Sequence, residues 1–482
     1  MPSELSFTLD GTGSLMRTSL QLFCSYAVAR VSSRHIIESG ILAVSSCFTA
    51  KRMSTRSRQY RPSRFDDVED IESYTTGGFH PVHLGDLFQD RYKILHKLGY
   101  GGFSTVWLAL DEQKHRRVAL KIMRAEASSH CSELEILQRL GRSPNDASGR
   151  KNVTSLFDHF TIDGPNGTHM CLVSDVAGPS VAALNDCPGK VAGSRRLRSD
   201  LARKIAKQTV EALKFVHSHK LCHGDITASN LLFQLASINE WSEDEVCQRF
   251  GEPRKDLILT ISGCEPGRSA PRYLVESANL LDPRFLAEDI LLVDFGQSFV
   301  VDNPPQAEDI GIPFSYCAPE VIFDSKVSKC SEIWALGCVI FELRAGQQLF
   351  PSWSGGQDEI LRQMVQTLGI LPDGWWNAWE KRTNFFNDDG KPKQEWSDGI
   401  PKAVEYPISE IIGDIGSEDE EEKEPRKSEA ILEPSGTSVP LEEAAQMNDL
   451  LDRIFKWAPE ERISLDDILN HSWFGTKHKD PF

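Results

Sequence analysis

The chain has 482 residues, with 53 Lys+Arg against 70 Asp+Glu and a formal net charge of −17. That length suits two to four packed units or one large bilobed unit, and 40% hydrophobic with 9% aromatic residues excludes general disorder. The acidic balance disfavours direct nucleic-acid binding and suits a cationic partner, although acidity also serves solubility alone.

The charge is uneven. Residues 1–64 hold nine basic side chains (Arg17, Arg30, Arg34, Lys51, Arg52, Arg56, Arg58, Arg61, Arg64) and three acids (Glu4, Asp10, Glu38). The remainder therefore carries 44 basic and 67 acidic residues, a net of −23. This Ser/Arg-rich, acid-poor start has the composition of a mitochondrial transit peptide. Met53 could open a shorter chain, so the plainer reading is an upstream extension or a disordered arm, with targeting the minority one. No Lys or Arg precedes Arg17 and Glu38 interrupts the later apolar stretch, which disfavours a secretory signal. Eleven cysteines without C-x-x-C pairs indicate neither a zinc ribbon nor a disulfide framework. They suit reduced thiols in the cytoplasm or nucleus, with a mitochondrial location as the alternative.

From Tyr92 the pattern is strand-like: Tyr92–Leu95, Thr105–Leu110 and Arg117–Met123 are short β-prone runs separated by turn residues. Apolar residues at 134, 137 and 140 predict a helix over Ser132–Leu140. Leu201, Ile205, Val210, Leu213 and Val216 predict another that ends near His219. Leu231–Phe233 and Ile290–Val293 read as apolar strands flanking a polar, partly helical insertion at 234–288. Ile333–Phe341 is too short to span a bilayer and reads as a buried helix within a mostly helical stretch from about residue 318. An acidic tract starting at Ser417 predicts a flexible loop within 402–440. A small β-rich part before a larger helical one defines an α+β chain with two lobes and no membrane span.

Four motifs carry chemistry. Leu98-Gly99-Tyr100-Gly101-Gly102-Phe103-Ser104-Thr105-Val106 is a glycine-rich turn between strands, able to bring backbone N–H groups against a polyphosphate or simply to close a hairpin. No Gly-Lys-Ser/Thr follows, so it is not a Walker A loop. Lys121 ends the apolar run Val118-Ala119-Leu120 and needs an anionic partner if buried, for which Glu133 is the candidate. Asp225 and Asn230 lie five residues apart before an apolar strand, placed to meet as proton acceptor and metal ligand. Leu291-Leu-Val-Asp294-Phe295-Gly296 delivers a further carboxylate at a strand end.

In this order, with Ala318-Pro319-Glu320 downstream, the set resembles the eukaryotic protein-kinase signature. The resemblance covers about residues 88–475 and implies a bilobed fold, with an N-lobe at 92–178 and a C-lobe at 179–475. Gly78-Phe-His80-Pro-Val-His83-Leu-Gly-Asp86 within a lead-in at 65–91, and the glycine loop with Ser104 as its third-glycine counterpart, are similar to SR-protein-specific kinases. That resemblance implies ATP and Mg²⁺ as cofactors and Arg/Ser-rich proteins as partners, with the chain a monomer. It assigns Asp225 as the residue that orients or accepts the substrate proton, and Lys121, held by Glu133, as the contact to the α- and β-phosphates. Asn230 and Asp294 would hold the metal. Leu98 to Val106 and Ala119 would enclose the nucleotide, and Asp175 and Ala177 would meet adenine through their backbone, with Ser174 as a small gatekeeper. Glu332 stands where an aspartate usually anchors the catalytic loop, and Arg462 matches the arginine expected to pair with Glu320.

The departures are specific. Gly224 replaces the arginine that usually receives an activation-loop phosphate, and only 26 positions separate Asp294 from Glu320. Both imply activity without such phosphorylation. Thr227 replaces a phosphate-contacting lysine, and Pro313 the threonine that usually touches it. These losses keep a pseudokinase scaffold, which binds nucleotide or partners without transfer, as the competing class. Trp375, Trp376 and Trp379 read as C-lobe packing or as a peptide-docking surface.

Overall fold

The computed structural model describes residues 58–475 except 145, 187–191, 237, 279–282, 353–355, 395–400, 418 and 420–430. Its first part is a six-stranded sheet of β1 (Leu87–Phe88), β2 (Tyr92–Tyr100), β3 (Ser104–Asp111), β4 (Arg116–Met123), β5 (Leu156–Gly164) and β6 (Gly167–Ser174). The order is β1-β2-β3-β4-β6-β5, every pair antiparallel. Alternation sends β3 and β4 side chains to two different cores. Trp107, Ala109, Val118, Leu120 and Ile122 pack with Cys171 and Val173 on the outer face. Leu108 and Leu172 join the core shared with the helical part. Between β4 and β5 lie α1 (Ala125–Ser128) and α2 (Ser132–Leu140), the latter with the bounds that its apolar spacing predicts. It buries Ile136, Leu137 and Leu140.

The second part opens with β7 (Ala177–Ser180), α3 (Val181–Asn185), α4 (Ser199–Ser218), β8 (Leu221–Cys222) and β9 (Leu231–Leu235). The insertion supplies α5 (Glu243–Phe250) and the antiparallel pair β10 (Lys255–Leu257) and β11 (Tyr273–Val275). Then β12 (Leu286–Leu292) returns against β9, pairing Leu292 with Leu231 and Ile290 with Phe233. The short strand β13 (Phe299–Val300) pairs with β8. After α6 (Pro319–Asp324), α7 (Lys329–Ala345) is the central helix, buried at every position from Ser331 to Ala345. Of the tryptophans, Trp376 and Trp379 are buried and Trp375 stacks on Phe323, so all three pack rather than offer a docking surface. Among the described residues no helix is long and apolar enough to cross a membrane.

Two stretches depart from expectation. Residues 58–64, read as part of a disordered or targeting arm, are mostly exposed but are anchored at Tyr60, Ser63 and Arg64. Tyr60 is buried and bridges Thr260, and the Arg64 guanidinium and Ser63 hydroxyl both bond Asp256. Composition could not reveal this, because the partner lies some 190 residues further on. The flanks of the 402–440 loop are likewise ordered by burial: Ile408, Ile412, Ile415, Ile431 and Leu432 lie in the core. Arg196 pairs with Asp419 and Glu433. The rest of the acidic tract, like residues 1–57, lies outside the described residues.

Candidate active site

Lys121 sits mid-strand on β4, opposite Val106 of β3 and Leu172 of β6, so Val106, Ala119, Lys121 and Ser174 share the face turned from the outer core. Its ammonium lies 2.7 Å and 2.9 Å from the two Glu133 oxygens, delivered by the first turn of α2. It also lies 2.9 Å from Asp294 Oδ1. Desolvation opposes the ammonium charge, yet the Glu133 and Asp294 carboxylates outweigh it and hold its pKa above the ordinary value. Reciprocally, Lys121 holds the half-buried Asp294 carboxyl below the usual range, so Asp294 is ionised.

Asp294 adopts a left-handed backbone with φ 61°, which turns its carboxylate over Gly296 N while Phe295 is buried in the core beneath. Asp225 comes from the loop between β8 and β9. Asn230 Nδ2 donates at 2.8 Å both to Asp225 Oδ2 and to the Asp225 carbonyl. Asp225 Oδ1 is buried and has no hydrogen-bond partner among the described residues, an acceptor open to an incoming hydroxyl. Burial chiefly raises its pKa, and the nearby Asp294 charge adds to this. His223 braces the loop. Its Nδ1 accepts from Asp225 N at 3.2 Å, so Nε2 carries the proton and donates to the Val293 carbonyl at 3.0 Å.

Glu332, one methylene longer than the usual aspartate, still reaches the loop: Oε1 accepts from Gly224 N at 2.7 Å and Oε2 meets His217 Nε2 at 2.6 Å. With Cys222 these residues form a buried trio of possible metal ligands. Glu332, however, is committed through both oxygens to internal hydrogen bonds. Gly224 has φ +84°, and a Cβ there would stand 2.1 Å from the Gln297 carbonyl oxygen. The packed loop therefore has no room for a side chain at this position. Arg462 forms the expected paired bonds to Glu320, both at 2.7 Å.

The nucleotide-facing candidates fall into three groups. Gly99, Gly101 and Gly102 have open space where a Cβ would be, and Tyr100 and Phe103 are exposed, so the turn is free to approach a ligand. Leu98, Ser104, Val106 and Ala119 lie along the same strands, whereas the Thr105 hydroxyl accepts from Trp107 Nε1 on the outer face and leaves only its backbone to the loop. The Asp175 carboxylate accepts from Ser155 N at 2.8 Å, so any adenine contact there is also a backbone one. Ala177 lies in β7, paired with Gln234. Thr227 is buried and its carbonyl accepts from Asn230 N. Pro313 precedes the turn Phe314–Tyr316.

A divalent ion suits the donor set. Asn230 spends both Nδ2 hydrogens on Asp225, which leaves Oδ1 as an oxygen donor beside the ionised Asp294 carboxylate. Sequence reasoning missed the buried ion pair Lys97–Glu69 behind the glycine loop. The only signal was a second lysine in β2, which also carries Lys93 and His96.

The comparisons agree with this geometry. Residues 92–239 and 276–474 match the family model described as a protein kinase domain, and the chain belongs to that family. It is a serine/threonine protein kinase. Its relatives include a serine/threonine-protein kinase SRPK of Physarum polycephalum, 27% identical over 84% of this chain and 91% of the relative. Human SRSF protein kinase 3 is 24% identical over 85% of this chain and 90% of its own length. Protein kinase dsk1 of Schizosaccharomyces pombe is 37% identical over 34% of this chain and 30% of its own length. The break in the family match, residues 240–275, falls within the insertion.

Proposed function

We propose that the chain transfers the γ-phosphate of Mg·ATP to serine in Arg/Ser-rich proteins and needs no activation-loop phosphorylation. The observation that carries catalysis is the cluster of Lys121, Glu133 and Asp294 beside the Asp225–Asn230 pair. Bound Mg²⁺ would neutralise charge on the β- and γ-phosphates, held by Asp294 and Asn230. Lys121 exchanges part of its carboxylate contact for phosphate oxygens, and Glu133 keeps its ammonium in place. Asp225 Oδ1 accepts the substrate hydroxyl hydrogen bond and then the proton, while Asn230 fixes the rotamer of the carboxylate.

Independence from phosphorylation rests on how the activation segment is held. Its three side-chain hydroxyls are Ser298, Ser315 and Tyr316, and all are buried. Ser298 donates to the His223 carbonyl at 2.8 Å, and Tyr316 donates to Glu342. β13 pairs with β8, and Glu320–Arg462 locks the far end. The segment is thus tied down by the fold. The Arg/Ser preference is supported by the similarity to kinases named SRPK and by the net charge of −23 outside residues 1–64.

The test is direct. Phosphatase-treated protein with Mg·ATP should label serine in an Arg-Ser repeat peptide, and Asp225→Asn should lower turnover by about a thousandfold. Binding of nucleotide without transfer would overturn the reading in favour of a scaffold. Equal labelling of an acidic serine peptide would overturn the substrate class.

A further inference from the structure

The glycine loop makes few contacts of its own, so its height over the nucleotide is fixed by the strand ends that carry it. On the β3 side, Arg124 holds it through Gly102 O at 3.2 Å and Phe103 O at 2.8 Å. On the β2 side Lys97 stands at the break two positions before Gly99, where the β2–β3 register shifts before the ladder resumes at Gly99–Val106 and Tyr100–Thr105. Its side chain is 0% exposed.

Lys97 is gripped by two segments remote in sequence. Its ammonium forms an ion pair with Glu69 of the lead-in and donates to Val275 O of β11 at 3.1 Å. The Tyr100 ring lies 4.9 Å away. Glu69 is oriented in turn by the Tyr74 hydroxyl, which donates to its second oxygen. The Lys97 carbonyl accepts from Ala278 N at 2.9 Å and meets His96 Nδ1 at 3.0 Å. Both backbone and side chain are therefore fixed at the base of the loop.

A buried ion pair gains little stability over an apolar pair of the same size, because desolvation offsets the attraction. What it supplies is direction, since a charged donor must find its acceptor at one place and in one geometry. We propose that Lys97 is a positioning residue for the nucleotide. Through Glu69 and Val275 it makes the lead-in and the insertion set the placement of the glycine loop over the phosphates. The insertion then acts on the nucleotide site through Lys97.

The experiment separates this from a merely structural role. Full-length Lys97→Met, the double variant Lys97→Met with Glu69→Gln, and Tyr74→Phe are compared with the parent. Readouts are thermal midpoint, Kd for a fluorescent ATP analogue, KM for ATP and KM for an Arg-Ser peptide. Lys97→Met leaves a buried unpaired carboxylate and lowers the midpoint. The double variant removes both charges, keeps the acceptor for Tyr74 and recovers most of the midpoint. Positioning predicts that Kd and KM for ATP rise about fivefold or more in the double variant, with peptide KM within about twofold. Tyr74→Phe, a milder change that should fold in any case, raises them about twofold. If the double variant regains both midpoint and ATP constants, or if Tyr74→Phe leaves the ATP constants unchanged, the proposal fails. Nucleotide affinity needs no protein substrate, so an unlabelled Arg-Ser peptide would overturn the substrate reading without touching this measurement.

Discussion

Glu342 shows how a single buried acid can make stability depend on pH. It lies on α7, 5% exposed, and its carboxylate accepts from the Tyr316 hydroxyl. Burial pushes its pKa up to about 7, with the Tyr316 hydrogen bond opposing. The folded chain therefore keeps the Glu342 proton between about pH 4.5 and 7, whereas the unfolded chain has released it. This contribution is full below about pH 4.5 and is lost as pH rises to about 7. Glu342→Gln keeps an acceptor for Tyr316 and cannot ionise. Its stability relative to the parent should improve by about 3 kcal/mol between pH 4.5 and 8, read by urea unfolding at both. An unchanged difference would mean that Glu342 is ionised in the folded chain. Lys121 is the converse case, a partly buried cation with two carboxylates on it, so its charge is maintained rather than suppressed.

At the scale of elements, the catalytic loop and the start of the activation segment are built against each other. Gly224 is the contact point, with its left-handed φ and the Gln297 carbonyl where a Cβ would stand. Gly224→Ala should cost about 2 kcal/mol or more and lower kcat, because Gln297 must retreat and draw β13 from β8. Thermal midpoint and turnover measured on one preparation check this, and an unperturbed midpoint would refute the close packing. Part of this architecture is legible in the sequence. The bounds of α2 and the end of α4 follow from apolar spacing, and the order of the motifs placed Lys121, Asp225, Asn230 and Asp294 at one site. Local pattern could not place Tyr60 on Thr260, or Lys97 between Glu69 and Val275, because these contacts join segments with no shared periodicity. Nor could it show that Gly224 is a backbone requirement, since a positive φ is a property of the packed loop. The Thr105 side chain, grouped with the loop by sequence, is placed on the outer face by strand alternation.

Across the whole molecule the dominant feature is charge. Apart from residues 1–64, 67 acids face 44 bases, and internal pairs such as Arg344 with Glu433 and Glu443 consume acids as well as bases, so the excess rests on the overall count. An acidic surface of this size attracts an Arg-rich peptide over roughly a Debye length, about 30 Å at 0.01 M salt but about 8 Å at 0.15 M. If attraction steers the substrate, kcat/KM for an Arg-Ser repeat peptide should fall about tenfold between those salt concentrations. The loss should appear in KM, with kcat nearly constant, because the chemical step is local to Asp225 and Lys121 and is poorly screened. A serine peptide with one flanking arginine should respond much less, since the effect scales with substrate charge. Equal salt responses for the two peptides would place the selectivity in short contacts at the site and leave the acidity of the body to solubility alone. A flat response for the repeat peptide, with activity retained, would remove long-range attraction from the account of substrate choice altogether.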